Sequence, residues 1–152
     1  MKLKKIDKDI AALEEAIISN NDKEGFYGDG VSIVEVPEIP IKNSFADQIY
    51  IRQMTMKADQ LVVGAIHNHQ HVWFLLTGHV SINNNGEVID YIAPCYTVSE
   101  PGAKRVIYAH EDSVFVNVHK NPLNVKDINN YEFYSVRHRS SSKYNWSDNK
   151  VF

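Results

Sequence analysis

The chain has 152 residues, 43% hydrophobic and 23% charged, the make-up of one soluble domain large enough to bury a core without staples. Its one cysteine, Cys95, excludes an intramolecular disulfide and every zinc site built on cysteine pairs. A formal net charge of -3 argues against a general nucleic-acid or membrane-surface binder, and seven histidines direct any metal chemistry to nitrogen and oxygen ligands.

Ile6, Ile10, Leu13 and Ile17 recur at helical spacing and predict an amphipathic helix over 3–19 with Lys4, Lys5, Lys8, Glu14 and Glu15 on its solvated face. A helix of this length is marginal alone in water, so it should dock on its own domain or on a second subunit. The basic start, Met1-Lys-Leu-Lys-Lys5, is followed by no apolar h-region, so no signal peptide is expected. No window approaches the ~18 consecutive apolar residues of a membrane span. A cytoplasmic protein is the expectation, and the sequon at Asn145-Trp-Ser147 is then a chance match.

Residues 20–30 are polar and carry Gly25, Gly28 and Gly30, a loop by composition. Short apolar runs then alternate with turn signals, predicting strands at 31–36, 48–56, 61–67, 71–76, 79–82, 87–91, 95–98, 104–109 and 113–119. Asn83-Asn-Asn-Gly86 has hairpin-turn chemistry, Pro94 and Pro101-Gly102 punctuate the next segments, and His110-Glu-Asp112 is a tight connection. Many short strands without an intervening long helix predict a sandwich or barrel. The organisation expected is a helix and loop over 1–30, a β-barrel over 31–120 and an irregular C-terminal extension over 121–152, in which Tyr131, Phe133 and Tyr134 cover the barrel.

The densest feature is Gly64-Ala-Ile-His67-Asn-His69-Gln-His71-Val-Trp-Phe-Leu-Leu-Thr-Gly78. On one continuous strand the outer two histidines would lie ~13 Å apart, too far to share a metal. A turn at 68–70 instead lets His67 end one strand and His71 start the next, both pointing inward. His69 then sits in the turn, exposed to solvent, or replaces a ligand if the register slips.

This segment resembles the first motif of the cupin superfamily, two histidines and a glutamate at set spacing before a glycine. Counted back from Gly78, His71 falls at the glutamate position, His67 at the second histidine and Ala65 at the first. The second cupin motif, Pro-x-Gly-x-x-His, resembles Glu100-Pro-Gly-Ala-Lys-Arg105, with Pro101 shifted and Arg105 at the histidine position. The wider run, from Ile49-Tyr-Ile-Arg-Gln53 to His110-Glu-Asp-Ser-Val-Phe-Val-Asn-Val-His119, is similar to uncharacterised cupin-like proteins encoded by phages and prophages. The resemblance implies an all-β, cupin-type jelly-roll barrel, a frequent dimer, and, for a phage-encoded chain, the host-cell cytoplasm.

Two ligands make no tight site, so a third is sought. A hairpin of 104–109 with 113–119 would pair Arg105 with Asn117 and Ala103 with His119, placing Arg105, Asn117 and His119 on one face. His67 and His71, completed by His119 or His69, would then suit a single Zn, Fe, Ni or Mn ion. An inward Arg105 would clamp a small anionic ligand, with Asn117 beside it and Trp73 among the aromatic residues, Tyr50, Tyr96 and Tyr108 with it, that either wall a pocket or form core. Against this stands an ion pair of Arg105 with Glu100, Glu111 or Asp112. Open metal positions would support oxygenation, isomerisation or hydrolysis. The reading of another class is a non-catalytic cupin scaffold, a phage structural or accessory protein.

Other chemistries are excluded by what is missing. Gly25-Phe-Tyr-Gly-Asp-Gly30 lacks the Lys-Ser/Thr ending of a nucleotide loop, and no His-Glu-x-x-His helix occurs. His79-Val-Ser81 is half of a two-histidine phosphoesterase signature without its second half. His79 and His110 read as surface or turn residues, His138 lies in the polar tail, and Cys95 reads as structural.

Overall fold

The computed structural model describes residues 10, 12, 13, 15, 16, 39–84, 86–128, 130 and 131. Nine strands follow in order: β1 (Ile41–Ala46), β2 (Ile49–Met56), β3 (Leu61–Val63), β4 (His71–Thr77), β5 (His79–Asn84), β6 (Glu87–Ile92), β7 (Cys95–Ser99), β8 (Arg105–Ala109) and β9 (Ser113–Lys120). They build two antiparallel sheets, a five-stranded one in the order β1-β2-β9-β4-β7 and a four-stranded one in the order β3-β8-β5-β6. No strand pairing joins the two sheets among the described residues. The expected barrel is therefore a double-sheet sandwich rather than a closed ring of hydrogen bonds.

The expected strands recur with small shifts, apart from three differences. β1 went unpredicted because its sequence, Ile-Lys-Asn-Ser-Phe-Ala, has a weak alternation. β3 ends at Val63 rather than continuing to 67, so residues 64–70 are a loop. The strand expected at 31–36 lies outside the described residues, as do Phe133, Tyr134, His138 and the sequon. Of the helix expected over 3–19, residues 10, 12, 13, 15 and 16 are described, too few to delineate an element.

Two glycines satisfy local backbone demands. Gly86 takes φ 96° in the β5–β6 hairpin, where its N–H donates to Asn83 Oδ1 at 2.8 Å, as the turn chemistry predicts. Gly78, at φ 94°, joins β4 to β5, and a Cβ there would lie 2.1 Å from Ser113 Oγ and 2.6 Å from the Asp112 carbonyl oxygen. The motif glycine is thus required by close backbone approach as well as by conformation.

Strand alternation divides the interior into two ends. From β2, β4 and β9, Met54, Met56, Trp73, Leu75 and Phe115 face Val80, Ile82, Ile107 and Ala109 of the other sheet and form the apolar core. Cys95 packs against this cluster, in keeping with a structural role. Following the same faces toward the other end, apolar residues give way to polar ones. Register pairs Arg52 with Asn117 and Tyr50 with His119 across β2 and β9, and His71 with Ser99 across β4 and β7. On the opposing sheet Arg105 and Asn84 are paired at the corresponding ends of β8 and β5. Polar chemistry is gathered at one mouth of the sandwich while the other end supplies packing.

β8 and β9 do not form the expected hairpin. The connection at 110–112 crosses between sheets, so β9 pairs with β2 and β4, and β8 with β3 and β5. A tight turn between two apolar runs reads as a hairpin in sequence, whereas core burial here is better served by facing sheets. Among the described residues no helix is long and apolar enough to cross a membrane.

Candidate metal and anion site

Three histidines converge at the polar mouth. His71 begins β4, His119 lies near the end of β9, and His67 is carried by the loop before β4, whose path is pinned by a 2.9 Å bond from the Gly102 N–H to the His67 carbonyl. Ring centroids are 4.9 Å apart for His67 and His71, 4.5 Å for His67 and His119, and 4.3 Å for His71 and His119. One ring nitrogen from each lies within 4.8 Å of the others. His119 reaches this position through the β2–β9–β4 register and not through the hairpin expected from sequence.

Each of the three retains a solvent-shielded nitrogen with no hydrogen-bond partner: His67 Nδ1, His71 Nδ1 and His119 Nε2. Buried polar atoms are ordinarily paired, so three orphans in one cluster signal a missing partner. Burial pushes His67 and His119 well below the usual imidazole range, and neighbouring histidines and arginines push the same way. His71 is lowered to about 3, chiefly by burial and then by the Arg105 charge, against a hydrogen bond with Asn117 that favours its cation. The rings are consequently neutral near pH 7, the state in which imidazole ligates a metal.

His69 is buried rather than exposed, only 3% accessible, because the loop folds it inward behind His119. Its Nε2 shares a 3.0 Å hydrogen bond with His119 Nδ1 and lies 3.5 Å from the Tyr131 hydroxyl. Tyr131 donates to the Lys120 carbonyl at 2.9 Å, and the segment leading to it is held by paired bonds between the Asn121 side chain and the Val125 backbone. When His119 donates through Nδ1 to His69, its Nε2 keeps its lone pair directed at the cluster. Tyr50, fully buried, stacks on His119 with centroids 5.6 Å apart.

Arg105 is half-buried, and its guanidinium hydrogen-bonds the Ser99 hydroxyl. None of the three expected carboxylate partners reaches it: Glu100 accepts from Gln70, Asp112 pairs with Lys57, and no Arg105 ion pair occurs among the described residues. Arg105 sits opposite Asn84 at the end of β8, and its charge lowers the pKa of both His67 and His71. Arg52, which the sequence reading did not single out, is a second such cation; its charge bears on His67 and His119, and its buried Nη1 has no hydrogen-bond partner. An arginine alternating with Tyr50 and Met54 on an inward strand face was the available signal.

The remaining expectations divide. Asn117 lies on β9, opposite Arg52 and Trp73 in register, and favours the His71 cation. Trp73, 2% exposed, belongs to the apolar core, stacked on Phe115 at 4.9 Å and edge-on to Tyr91 at 4.8 Å. Tyr96 is 69% exposed, and Tyr108 turns outward to donate to Asp59 at 2.5 Å, so neither shares the mouth with Tyr50.

No protein-family model matches the chain, and no curated protein matches it in sequence. Its fold has many solved relatives. An uncharacterised conserved protein with a double-stranded β-helix domain from Klebsiella pneumoniae superposes with TM-score 0.52 at 18% identity, over 64% of this chain and 89% of that one. KdgF from Halomonas sp. gives 0.51 at 13% identity, over 59% and 84%. The cupin domain of Cnp3 from Schizosaccharomyces pombe gives 0.50 at 13% identity, over 59% and 69%. The architecture is the cupin, or double-stranded β-helix, fold. At these identities the likeness concerns the backbone, and function rests on the side chains at the mouth.

Proposed function

We propose that this is a small metal-binding cupin-fold protein in which His67, His71 and His119 hold one divalent ion and Arg105 orients a small anionic molecule beside it. The observation that carries the reading is the convergence of three neutral histidines, His71 and His119 buried and His67 half-buried, each with an orphaned, solvent-shielded ring nitrogen. An all-nitrogen set of three suits Zn(II), Fe(II), Ni(II) or Mn(II) and leaves positions open. A bound ion would supply Lewis-acid or redox chemistry there.

The protein's own groups define what could enter. Two arginines and no carboxylate bear on the three histidines. A cation in that setting requires a compensating negative charge, so the ligand expected is a carboxylate or phosphate compound, bridging ion and guanidinium. His69, backed by Tyr131, holds His119. That contact fixes the His119 ring through Nδ1 without consuming its orphaned Nε2.

A second reading is favoured by Ala65 and Arg105, which stand where the resembling motifs carry histidines. In it the protein is a non-catalytic scaffold, a phage structural or accessory component, and a homodimer. Metal analysis of tag-free protein separates the two. One equivalent per chain that disappears in the His67→Ala/His71→Ala variant supports the first; a metal content unchanged by those substitutions overturns it.

A further inference from the structure

The outer face of the four-stranded sheet carries a second constellation that the mouth does not use. Val80 and Ile82 of β5, Ala109 of β8 and Tyr91 of β6 point into the core. Alternation therefore turns His79, Ser81, Asp90 and Tyr108 outward. Register sets Asp90, Ser81 and Tyr108 in one row across β6, β5 and β8. His110 follows β8 directly, and its N–H donates to the His79 carbonyl at 2.9 Å, locking the two histidines side by side. Their rings stack with centroids 4.2 Å apart.

One ligating atom from each of His79, Asp90 and His110 lies within 4.8 Å of the others. His79 Nε2 is shielded from solvent, lies 3.8 Å from Asp90 Oδ2 and has no hydrogen-bond partner. Ser81 Oγ is hydrogen-bonded to Asp90 Oδ1 and lies 2.5 Å from His110 Nε2. A carboxylate only accepts, so the serine proton goes to Asp90 and His110 donates from Nε2. The serine oxygen thus stands between Asp90 and His110, while His79 Nε2 beside them remains without a partner.

We propose that His79, Asp90 and His110 form a second, solvent-facing site for a divalent first-row ion such as Zn(II). Two imidazoles and one carboxylate suit such ions and leave coordination positions to water. The donors need to draw in to about 3.0–3.4 Å, the spacing of ligands roughly 2.1 Å from one ion. Asp90 and His110 are exposed and joined to each other through the Ser81 hydroxyl, and His79 is half-buried. On binding, His110 moves its proton from Nε2 to Nδ1, and Ser81 keeps its bond to Asp90, orienting the carboxylate. The site is independent of the mouth, from which the core residues Val80, Ile82 and Ala109 separate it.

The test is a zinc count on the full, tag-free chain, stripped with chelator, dialysed against buffered Zn(II) and measured by mass spectrometry. Wild type is compared with His110→Ala and with Asp90→Ala, both surface substitutions. Each variant should carry one equivalent fewer than wild type, and equal counts overturn the proposal. In the His67→Ala/His71→Ala background the outer equivalent should persist and disappear on adding His110→Ala. Should that background fail to fold, the comparison of wild type with the two surface variants decides alone.

Discussion

His71 and His119, far apart in sequence, lie with ring centroids 4.3 Å apart because β4 and β9 pair directly in one sheet. Neither ring can take a proton without burying a charge beside the other and near arginine.

That relationship sets the acid stability of the metal-free protein. The folded pKa values of His67, His71 and His119 are all depressed below 6.5, His71 to about 3. Below pH 6.5 the unfolded chain binds protons that the folded chain refuses, so the stabilisation present above 6.5 is lost as pH falls toward the folded values. Each histidine contributes a slope of up to about 1.4 kcal/mol per pH unit. Denaturant melts in chelator should show stability dropping steeply from pH 6.5 to 5, and His71→Asn should flatten the drop. A flat profile in the parent protein contradicts this account.

His69 hydrogen-bonds His119 and stands outside the three converging histidines. Replacing it with leucine removes the 3.0 Å bond that fixes the His119 tautomer. Zn(II) affinity at the mouth should weaken by about 10–100-fold, the usual effect of losing a partner behind a ligand. His119→Ala should weaken it further. Equal losses in the two variants, read by competition with a chromophoric chelator, would mean that His69 ligates directly.

Arg105 offers a sign test. It lacks a carboxylate partner, so Arg105→Met should leave the melting temperature of the protein in anion-free buffer unchanged or raised, since it removes an unpaired, partly buried cation. With excess phosphate or oxalate the wild type should gain stability, by about 2.7 kcal/mol at a hundredfold excess over Kd, and the variant should not. Equal stabilisation of both by the anions rules out the clamp.

Much of this was legible in the sequence, for identifiable reasons. Val72, Trp73 and Leu75 announce β4 through composition, and Asn83 to Gly86 announce a hairpin through turn chemistry, because both signals are local. The inward convergence of His67 and His71 was likewise legible, since a turn between them was required by distance alone. The placement of His119 followed from the wrong pairing. Which strands share a sheet depends on how Ile107 and Phe115 bury against opposite layers, and local pattern holds no record of that. His69 read as exposed because turn residues usually are; its burial depends on Tyr131, whose position depends in turn on the Asn121–Val125 bonds. Arg52 was passed over because a charged residue within a strand reads as solvent-facing by default, although it alternates with Tyr50 and Met54.

Trp73 separates core from pocket most directly. Sequence left it as either a pocket wall or packing, and the structure stacks it on Phe115 and sets it edge-on to Tyr91, within the apolar cluster. A ligand contact would cost affinity when truncated and leave the fold intact. A core aromatic would cost stability first, about 3–5 kcal/mol for Trp73→Ala, since the cavity between the two sheets cannot collapse without moving strands. Trp73→Phe preserves the stacking and should cost less. Urea melts of both variants, alongside zinc counts under folding conditions, should show the stability loss with undiminished zinc in Trp73→Phe. Stability near that of the parent in Trp73→Ala would show that the residue is not part of the core that holds the two sheets together.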